Sequence, residues 1–460
     1  MNRWRKGAAR VCGVAAFALL SFVDAAGAQT RAIVGGRLID GTGAPPMADS
    51  VVLIEGDRIA AMGHMGEIEI PEGAEIIDAE GMSVTPGLID VHVHFDILGH
   101  SDYQYWFPAY EGRMRSDVLP TAAAAMLRAG VTSVRDLGSD VDNIFWIREE
   151  VNSGRLPGPR TFIAGPFLRK TATSFVSEDY VDTWVVEDPE DGRDKVRRLV
   201  ELGVDVIKTQ DPSLSKAELA AIYDEAHRLG MRVASHIYRA EDIRTALEAG
   251  LGPYDTIEHI GDGEDMAYAE DIVRMAVANR VAMAPTIIAL EGVRLMHDDP
   301  ELTDHWKWRR DLPRDIYLDI RRSYRDADLT GHPLYARATR DRPGRMAKLR
   351  QLRDAGAIFA ISSDSGTRGN PHHDATWREM ALVREATGMT NLEVIRAATH
   401  VNSVILQYED DLGALAPGKL ADILIVDGNP AERLSDFSRL HMVIKGGAPV
   451  VGPGGELLRD

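Results

Sequence analysis

The feature that most constrains the fold is a regular alternation of short apolar stretches with helical patterns through the middle of the chain. This alternation is typical of βα units, whose strands run parallel because a helix carries the chain back to the same end of the sheet. Eight such units over residues 86–409 predict an α/β chain folded as a (β/α)8, or TIM, barrel. The strands are predicted near 88–96, 132–138, 160–167, 204–210, 232–238, 255–260, 280–288 and 357–365.

Both ends of the chain contain further strand-like stretches with tight turns between them. Each end is too short to form a domain of its own. We therefore expect residues 29–85 and 410–460 to combine into one small composite β-sandwich beside the barrel. The stretches lie at 32–39, 50–56 and 59–62 before the barrel, and at 422–426 and 442–445 after it.

Residues 1–28 have the layout of a secretory signal peptide. A basic start precedes the apolar run 11–23, and Ala26-Gly27-Ala28 is a suitable cleavage site. The run is too short to span a bilayer comfortably, and an uncleaved anchor is the alternative. We expect a periplasmic or secreted protein with no stable membrane insertion after cleavage. Cys12 is the only cysteine and lies in this segment, so the exported chain would form no disulfide.

The charge of the chain is strongly acidic. The formal net charge is −19, and removal of residues 1–28, which carry four basic residues and one acid, leaves −22. An acidic surface disfavours nucleic acid and anionic membranes as partners. A small-molecule substrate is compatible with it, and homo-oligomerisation stays open.

Two histidines near the start of the predicted barrel share one face of a strand. His92 and His94 follow the turn signal Pro86-Gly87, and alternate residues of a strand point the same way. Two imidazoles on one face form half of a transition-metal site. Two histidines on a polar strand face are the alternative for the motif taken alone.

Four more residues with metal or acid–base chemistry lie near the ends of other predicted strands. In a barrel of this type the groups that carry the chemistry sit at the carboxyl ends of the strands, which meet at one rim. Their joint placement with His92 and His94 makes coincidence improbable. They are Lys208 on the fourth strand, His236 on the fifth, His259 on the sixth and Asp364 on the eighth.

With these residues the chain resembles the amidohydrolase superfamily, and within it the imidazolonepropionase-like and prolidase-like metal-dependent hydrolases. The resemblance covers nearly all of the chain after residue 28. It includes three further segments, namely Gly130–Gly138 at the second strand, Gly158–Arg160 before the third, and Leu412–Ile423 after the barrel.

The resemblance implies two divalent metal ions. His92, His94 and Asp364 would hold the more buried ion. His236 and His259 would hold the other. Lys208, carboxylated by CO2 to a carbamate, would bridge the two, because an ammonium has no lone pair for a metal. Imidazole and carboxylate ligands suit zinc, the expected ion, but also manganese or cobalt.

The same resemblance implies hydrolysis. Two ions about 3.5–4 Å apart would share a nucleophilic hydroxide. Asp364 would take its proton and pass it to the leaving group, and His259 is placed with Asp364 among the catalytic residues. Mononuclear deaminases of the superfamily typically carry glutamate three residues after the fifth-strand histidine. Arg239 stands there in this chain, which favours a binuclear hydrolase.

The expected reaction is cleavage of a C–N bond in a small amide, such as a dipeptide or an N-acyl amino acid. A lactonase or a carbamate or ester hydrolase on the same metal centre is one alternative. A non-catalytic binding protein of the same fold is another, and it would have gaps in the ligand set. The six residues predicted as ligands leave no such gap.

The substrate pocket is predicted less closely. Residues 289–342 are longer than an ordinary βα loop and form either a lid over the site or a peripheral element packed on the barrel wall or a second subunit. Tyr238, two residues after His236, points into the site or is a buried structural side chain. His372 contacts substrate or belongs, with His373, to a solvated histidine pair.

Overall fold

The computed structural model describes residues 29–170, 184–210, 213–259, 263, 265–326 and 333–458. The predicted signal peptide, residues 1–28, lies outside them and stays a prediction. Within the described part, no helix is long and apolar enough to cross a membrane.

Strands from both ends of the chain pair into one eight-stranded sheet. The strands are β1 Thr30–Leu38, β2 Met47–Glu55, β3 Arg58–His64, β4 Glu75–Asp78, β5 Ser83–Pro86, β14 Ile423–Val426, β15 Leu440–Lys445 and β16 Ala448–Val451. Their spatial order is β16-β15-β14-β5-β1-β2-β3, and β4 adds to β1. Strand β5 pairs antiparallel with β14, which joins the amino-terminal and carboxyl-terminal segments directly.

The predicted mixing of the two chain ends is therefore present, but it takes the form of a single sheet. Strands β4, β5 and β16 were not among the predicted ones. The two-layered sandwich and the exact domain limits stay predictions.

The middle of the chain contains the eight parallel strands expected from the alternation. They form a three-stranded sheet, β6-β7-β8, and a five-stranded sheet, β9-β10-β11-β12-β13, with neighbours in chain order. The strands are β6 Leu88–Val93, β7 Val131–Asp136, β8 Arg160–Ile163, β9 Val206–Gln210, β10 Arg232–His236, β11 Thr256–Glu258, β12 Ala282–Ala284 and β13 Ile358–Phe359.

Helices connect these strands. Their apolar residues pack onto the strands, and side chains such as Ile207 and Ile222 are fully buried between the two layers. The main helices are Tyr103–Tyr110, Leu119–Arg128, Val141–Asn152, Pro189–Leu202, Lys216–Arg228, Ala240–Ala249, Glu270–Ala278, Ile287–Asp298, Trp306–Asp311, Arg314–Arg325, Pro333–Arg340, Arg342–Asp354, Ala375–Thr387, Asn391–Arg396 and Asn402–Ile405.

Backbone hydrogen bonds also connect the two parallel sheets at both of their edges. The amide of Asp364 donates to the carbonyl of His92 at 2.7 Å, beside a parallel bridge between Val93 and Ser365. At the other edge, Leu168 donates to the carbonyl of Lys208 at 2.9 Å. The first strand thus lies beside the last, and the segment after the third lies beside the fourth.

Several predicted strands end earlier than expected. The last one was predicted to reach residue 365, yet β13 stops at Phe359. His259 and Asp364 have positive φ values of 71° and 55°, a left-handed conformation that ends a regular strand. The strand ends, where the side chains of interest lie, are therefore irregular.

The segment 289–342, described except for residues 327–332, packs on the loop that follows β6 in the same chain. The hydroxyl of Tyr324 donates to the carbonyl of Gly99 at 2.6 Å, and Ser101 Oγ donates to the carbonyl of Ser323 at 2.9 Å. Trp308 in this segment is buried. These contacts place the segment beside the rim on which the predicted site lies. Its role as a lid stays a prediction.

Candidate metal centre

The structure brings together the residues that the sequence predicted as ligands. One donor atom from each of His92, His259 and Asp364 lies within 4.8 Å of the other two. These residues come from β6 and from the turns after β11 and β13, which are distant in the chain. The parallel arrangement explains their meeting, because all these strand ends point the same way.

Five of the six residues, the four histidines and Asp364, form two close groups. In the first, Asp364 Oδ1 lies 3.1 Å from His94 Nε2 and 3.5 Å from His92 Nε2. In the second, His236 Nδ1 and His259 Nε2 are 2.8 Å apart. The rings of His92 and His259 have centroids 5.2 Å apart and connect the groups. The assignment of one predicted ion to each group stays a prediction, since the cluster of His92, His259 and Asp364 spans both.

Lys208 lies among these groups. It is fully buried on β9, in register with Ala234 of the neighbouring strand β10. Its charge lowers the pKa of His92, His236 and His259, although burial is the largest cause of each shift. Lys208 is therefore close enough for its charge to act on histidines of both groups, and its role as a bridge stays a prediction.

Burial also determines the charge of the histidines. Burial lowers the pKa of His92, His236 and His259 well below the ordinary value. These imidazoles are therefore neutral and able to donate a lone pair to a metal. For His94, burial opposes the charged form, but hydrogen bonding and charge from Asp364 outweigh it and raise the pKa to about 9. Burial alone would raise the pKa of Asp364, yet His92 and His94 lower it, so this carboxylate is ionised.

Three residues at the site have left-handed backbone conformations without being glycine. His259, Thr286 and Asp364 have φ values of 71°, 47° and 55°. Such conformations cost on the order of 1–3 kcal/mol each and persist where the surrounding structure fixes them. Thr286 Oγ1 lies 2.7 Å from His259 Nδ1, so two of the strained residues hold each other in place.

A buried ion pair behind His92 was missed by the sequence analysis. His92 Nδ1 donates to Glu258 Oε2 at 2.7 Å, and Arg135 donates to Glu258 Oε1 at 2.7 Å. Arg135 also donates to the carbonyl of Val91 at 2.7 Å. A carboxylate on the far nitrogen of a ligand histidine fixes its tautomer and turns Nε2 toward the metal.

Strand alternation gave no sign of Glu258. Adjacent strand residues point to opposite faces, so His259 in the site predicts Glu258 outside it. The left-handed backbone of His259 breaks this rule and lets both side chains serve the same centre. The adjacent Glu-His pair, together with Arg135 in the quoted segment Gly130–Gly138, was the available signal.

We expect Glu258→Gln to lower the metal affinity of the centre by about 10–100-fold, as is usual when a partner of a ligand histidine is removed. Glutamine keeps one oxygen but loses the charge that orients His92. Metal affinity measured by competition with a chelator checks this. Glu225→Gln is the matched control, since Glu225 is also buried and bound by two arginines, Arg197 and Arg228. Equal losses in the two variants would contradict the assigned role.

The two predicted substrate contacts have different positions. Tyr238 stacks on His259 with ring centroids 5.2 Å apart and lies edge-on to His236 at 4.6 Å. His372 donates from Nε2 to the carbonyl of His94 at 3.0 Å. His372 and His373 are both buried, so the alternative of a solvated pair is wrong.

A cation that the sequence analysis did not single out also reaches the site. The Arg337 guanidinium lies 4.4 Å from the centre of the Tyr238 ring, and its charge contributes to the lowered pKa of His236. Arg337 belongs to the helix Pro333–Arg340, inside the segment predicted as a lid. Nothing in the local sequence distinguishes it from the other arginines there, because only the folded chain brings it to Tyr238.

Comparison with known proteins agrees with this geometry. A family model described as the amidohydrolase family matches residues 83–450. The imidazolonepropionase of Streptomyces coelicolor is 24% identical over 422 residues, which cover 88% of this chain and 90% of that protein. An uncharacterized protein of Mycobacterium tuberculosis is 26% identical over 219 residues, or 46% of this chain. The match spans about half, 53%, of that relative's length.

A solved structure is similar over almost its whole length. The crystal structure of a Xaa-Pro dipeptidase with methionine bound in its active site is 26% identical, with a TM-score of 0.72. The match covers 92% of this chain and 99% of that one. The resemblance inferred from the sequence motifs, to imidazolonepropionase-like and prolidase-like amidohydrolases, is thereby confirmed.

Proposed function

Since this chain belongs to the amidohydrolase family, we propose that it is a metal-dependent hydrolase that cleaves a C–N bond in a small substrate with a free carboxylate. Dipeptides and N-acyl amino acids are the substrates of this kind that we favour. The observation that carries the proposal is the convergence of His92, His259 and Asp364, whose donor atoms lie within 4.8 Å of one another.

The proposed framework is a (β/α)8 barrel. Eight parallel strands alternate with helices, and hydrogen bonds join the two sheets at both edges. We infer that β6 and the end of β13 close the ring. In such a barrel the rim at the carboxyl ends of the strands holds the active site, and the six residues lie there.

The donor set fits divalent metal ions. Neutral imidazoles and an ionised carboxylate are the ligands that zinc and similar ions prefer. His92, His94 and Asp364 would hold one ion, His236 and His259 the other, and carboxylated Lys208 both. Bound divalent ions lower the pKa of water toward about 7 and polarise a carbonyl. Zinc is the ion we expect.

The residues of the chain then move the proton and hold the substrate. Asp364 is ionised and lies at the centre of the first group, so it can accept a proton from the attacking water. It passes that proton to the nitrogen of the leaving group. The imidazoles of His92 and His259, whose pKa burial lowers, remain neutral and do not compete for it. His259, held by Thr286, keeps its ring facing both His92 and His236.

The positive charge of Arg337 beside the proposed metal centre favours a substrate with a free carboxylate. Arg337 lies against Tyr238, and Tyr238 lies against two of the proposed ligands. Burial raises the pKa of Tyr238 to about 12, so its hydroxyl stays protonated and able to donate. A guanidinium and a phenol next to the reacting group suit a substrate whose amide is a few bonds from a carboxylate. The Xaa-Pro dipeptidase named above acts on substrates of this type.

Two other functions are distinguishable from this one. A lactonase or a carbamate or ester hydrolase would use the same centre but would not need Arg337. A binding protein without catalysis would bind ligand and metal with no turnover. The set of six proposed ligands has no gap, which argues against a binding protein without catalysis.

The test is a hydrolysis panel with the metal-loaded protein. It pairs each N-acyl amino acid and dipeptide with the same compound capped as a carboxamide, and it includes lactones and aryl esters. We expect the free acids to be cleaved with the highest kcat/KM. Turnover of lactones alone, or equal turnover of acid and capped forms, would contradict the proposed substrate class.

Arg337→Met should raise KM for the free-acid substrates by about 10–100-fold, the range expected when a charged hydrogen bond is lost. It should leave kcat and the values for carboxamide-capped substrates nearly unchanged. Steady-state kinetics on matched pairs checks this. Arg340→Met is the control, because Arg340 is exposed on the same helix and pairs with Asp341. The same loss in Arg340→Met, or in the capped series, would argue against carboxylate recognition by Arg337.

A further inference from the structure

A second cluster of donor side chains lines a small cavity beside the proposed centre. The cavity has a volume of about 50 Å³ and lies between the helix Ile287–Asp298, the segment around Trp308 and the turn that precedes Ala375–Thr387. His305, His373 and Asp374 line it together with apolar side chains. One donor atom from each of the three lies within 4.8 Å of the other two.

We propose that His305, His373 and Asp374 bind a divalent transition-metal ion at a site separate from the hydrolytic centre. Two imidazoles and a carboxylate suit ions of the zinc class and do not suit magnesium or calcium. His373 is buried beside the carboxylate of Asp374, and its imidazole offers a lone pair to an ion in the neutral form. The rings of His305 and His373 are nearly parallel, at 21°, and His305 is exposed, which gives the ion access from solvent.

A buried amide provides an independent indication of a cation. Asn370 lines the same cavity and is 1% exposed. Its Nδ2 donates to the carbonyls of Ser363 and Asp364, at 2.8 and 2.9 Å, which fixes which end of the amide is the oxygen. Oδ1 is buried and has no hydrogen-bond partner among the described residues. A buried acceptor of this kind is unfavourable unless a donor or a cation occupies the space beside it.

The ion would exchange with an ammonium group. Lys307 Nζ lies 2.6 Å from Asp374 Oδ1, which also accepts a hydrogen bond from Trp377 Nε1 at 3.0 Å. Arg378 lies 3.5 Å from the other oxygen. Asp311, near His373 at 3.7 Å, is itself bound by Arg310. A divalent ion must therefore displace Lys307 from the carboxylate, which predicts weaker binding here than at the hydrolytic centre.

The position gives the site a structural consequence. His305 belongs to the segment 289–342, whereas His373 follows His372, which is hydrogen-bonded to the backbone of His94. An ion held by both would tie this segment to the turn that carries His372. Binding of this ion does not depend on hydrolysis at the proposed centre. If the protein proves not to hydrolyse C–N bonds, the proposed ion site can therefore still be tested.

Equilibrium dialysis of the full chain against increasing free Zn²⁺, with elemental analysis, tests the site. At saturation we expect His305→Ala to bind one Zn²⁺ per chain fewer than the unaltered protein. His64→Ala, the control, replaces an exposed histidine of β3 and should bind the full number. Lys307→Met should bind the additional ion about tenfold more tightly or better, since a competing charge within about 4 Å is gone.

The outcomes separate a metal site from a structural ion pair. Equal stoichiometry in the unaltered protein and His305→Ala would overturn the proposal. A loss of one ion in His64→Ala as well would also overturn it, because the ions would then bind surface histidines in general. Unchanged or weaker binding in Lys307→Met would contradict the exchange with the ammonium.

Discussion

Lys208→Ala should lose bound metal and hydrolytic activity together, with turnover falling by more than about 10²-fold as expected for a group that joins two ions. Lys208 is fully buried, and its charge acts on histidines of both groups. Alanine provides no oxygen to bridge two ions. Metal content and kcat, measured on the same preparation, check the result. Lys216→Ala is the control, because Lys216 pairs with Glu248 on an exposed helix surface.

A short carboxylate added to Lys208→Ala should restore part of the activity. The alanine leaves a space of the size of the missing side chain, and formate or acetate can supply the two oxygens of a carbamate. Rescue that depends on both metal and carboxylate supports the bridge. Full activity of Lys208→Ala without any addition would overturn the binuclear scheme.

Asp364→Asn should lower kcat by about 10²–10⁴-fold, the usual cost of removing a general base. Asparagine preserves the shape of the side chain but cannot accept the proton, and the variant retains part of the metal site through His92 and His94. Turnover and metal content separate the loss of the base from the loss of a ligand. Asp427→Asn is the control, since Asp427 is exposed and pairs with Arg439. Unchanged turnover in Asp364→Asn would remove this residue from the mechanism.

The sequence predicted the parallel strands because each has an apolar pattern that local spacing reveals. The ends of those strands were less predictable. The left-handed backbone at His259 and Asp364 depends on packing against neighbouring strands, and no local pattern encodes it. The same irregularity explains why Glu258 was not predicted. Its side chain reaches His92 because the alternation of side-chain directions along β11 stops at His259.

The proposed ligands were predictable for a different reason. Each stands near the end of an apolar stretch, and the topology of βα units brings such ends together whatever their distance in the chain. Arg337 and the cluster around His373 follow no such rule. They reach their positions through helices of the segment 289–342, whose packing depends on many distant contacts, such as that between Tyr324 and Gly99.

The central proposal is that two metal ions, which carboxylated Lys208 would join, bind at the rim of the proposed barrel. Anomalous X-ray scattering at the zinc edge, from crystals of the zinc-loaded protein, tests it most directly. At the rim we predict two peaks, one among His92, His94 and Asp364 and one between His236 and His259, with continuous density from Lys208 Nζ to both. The ion proposed at His305, His373 and Asp374 would give a separate peak away from these two. A single peak at the rim, or an unmodified lysine at position 208, would contradict the account.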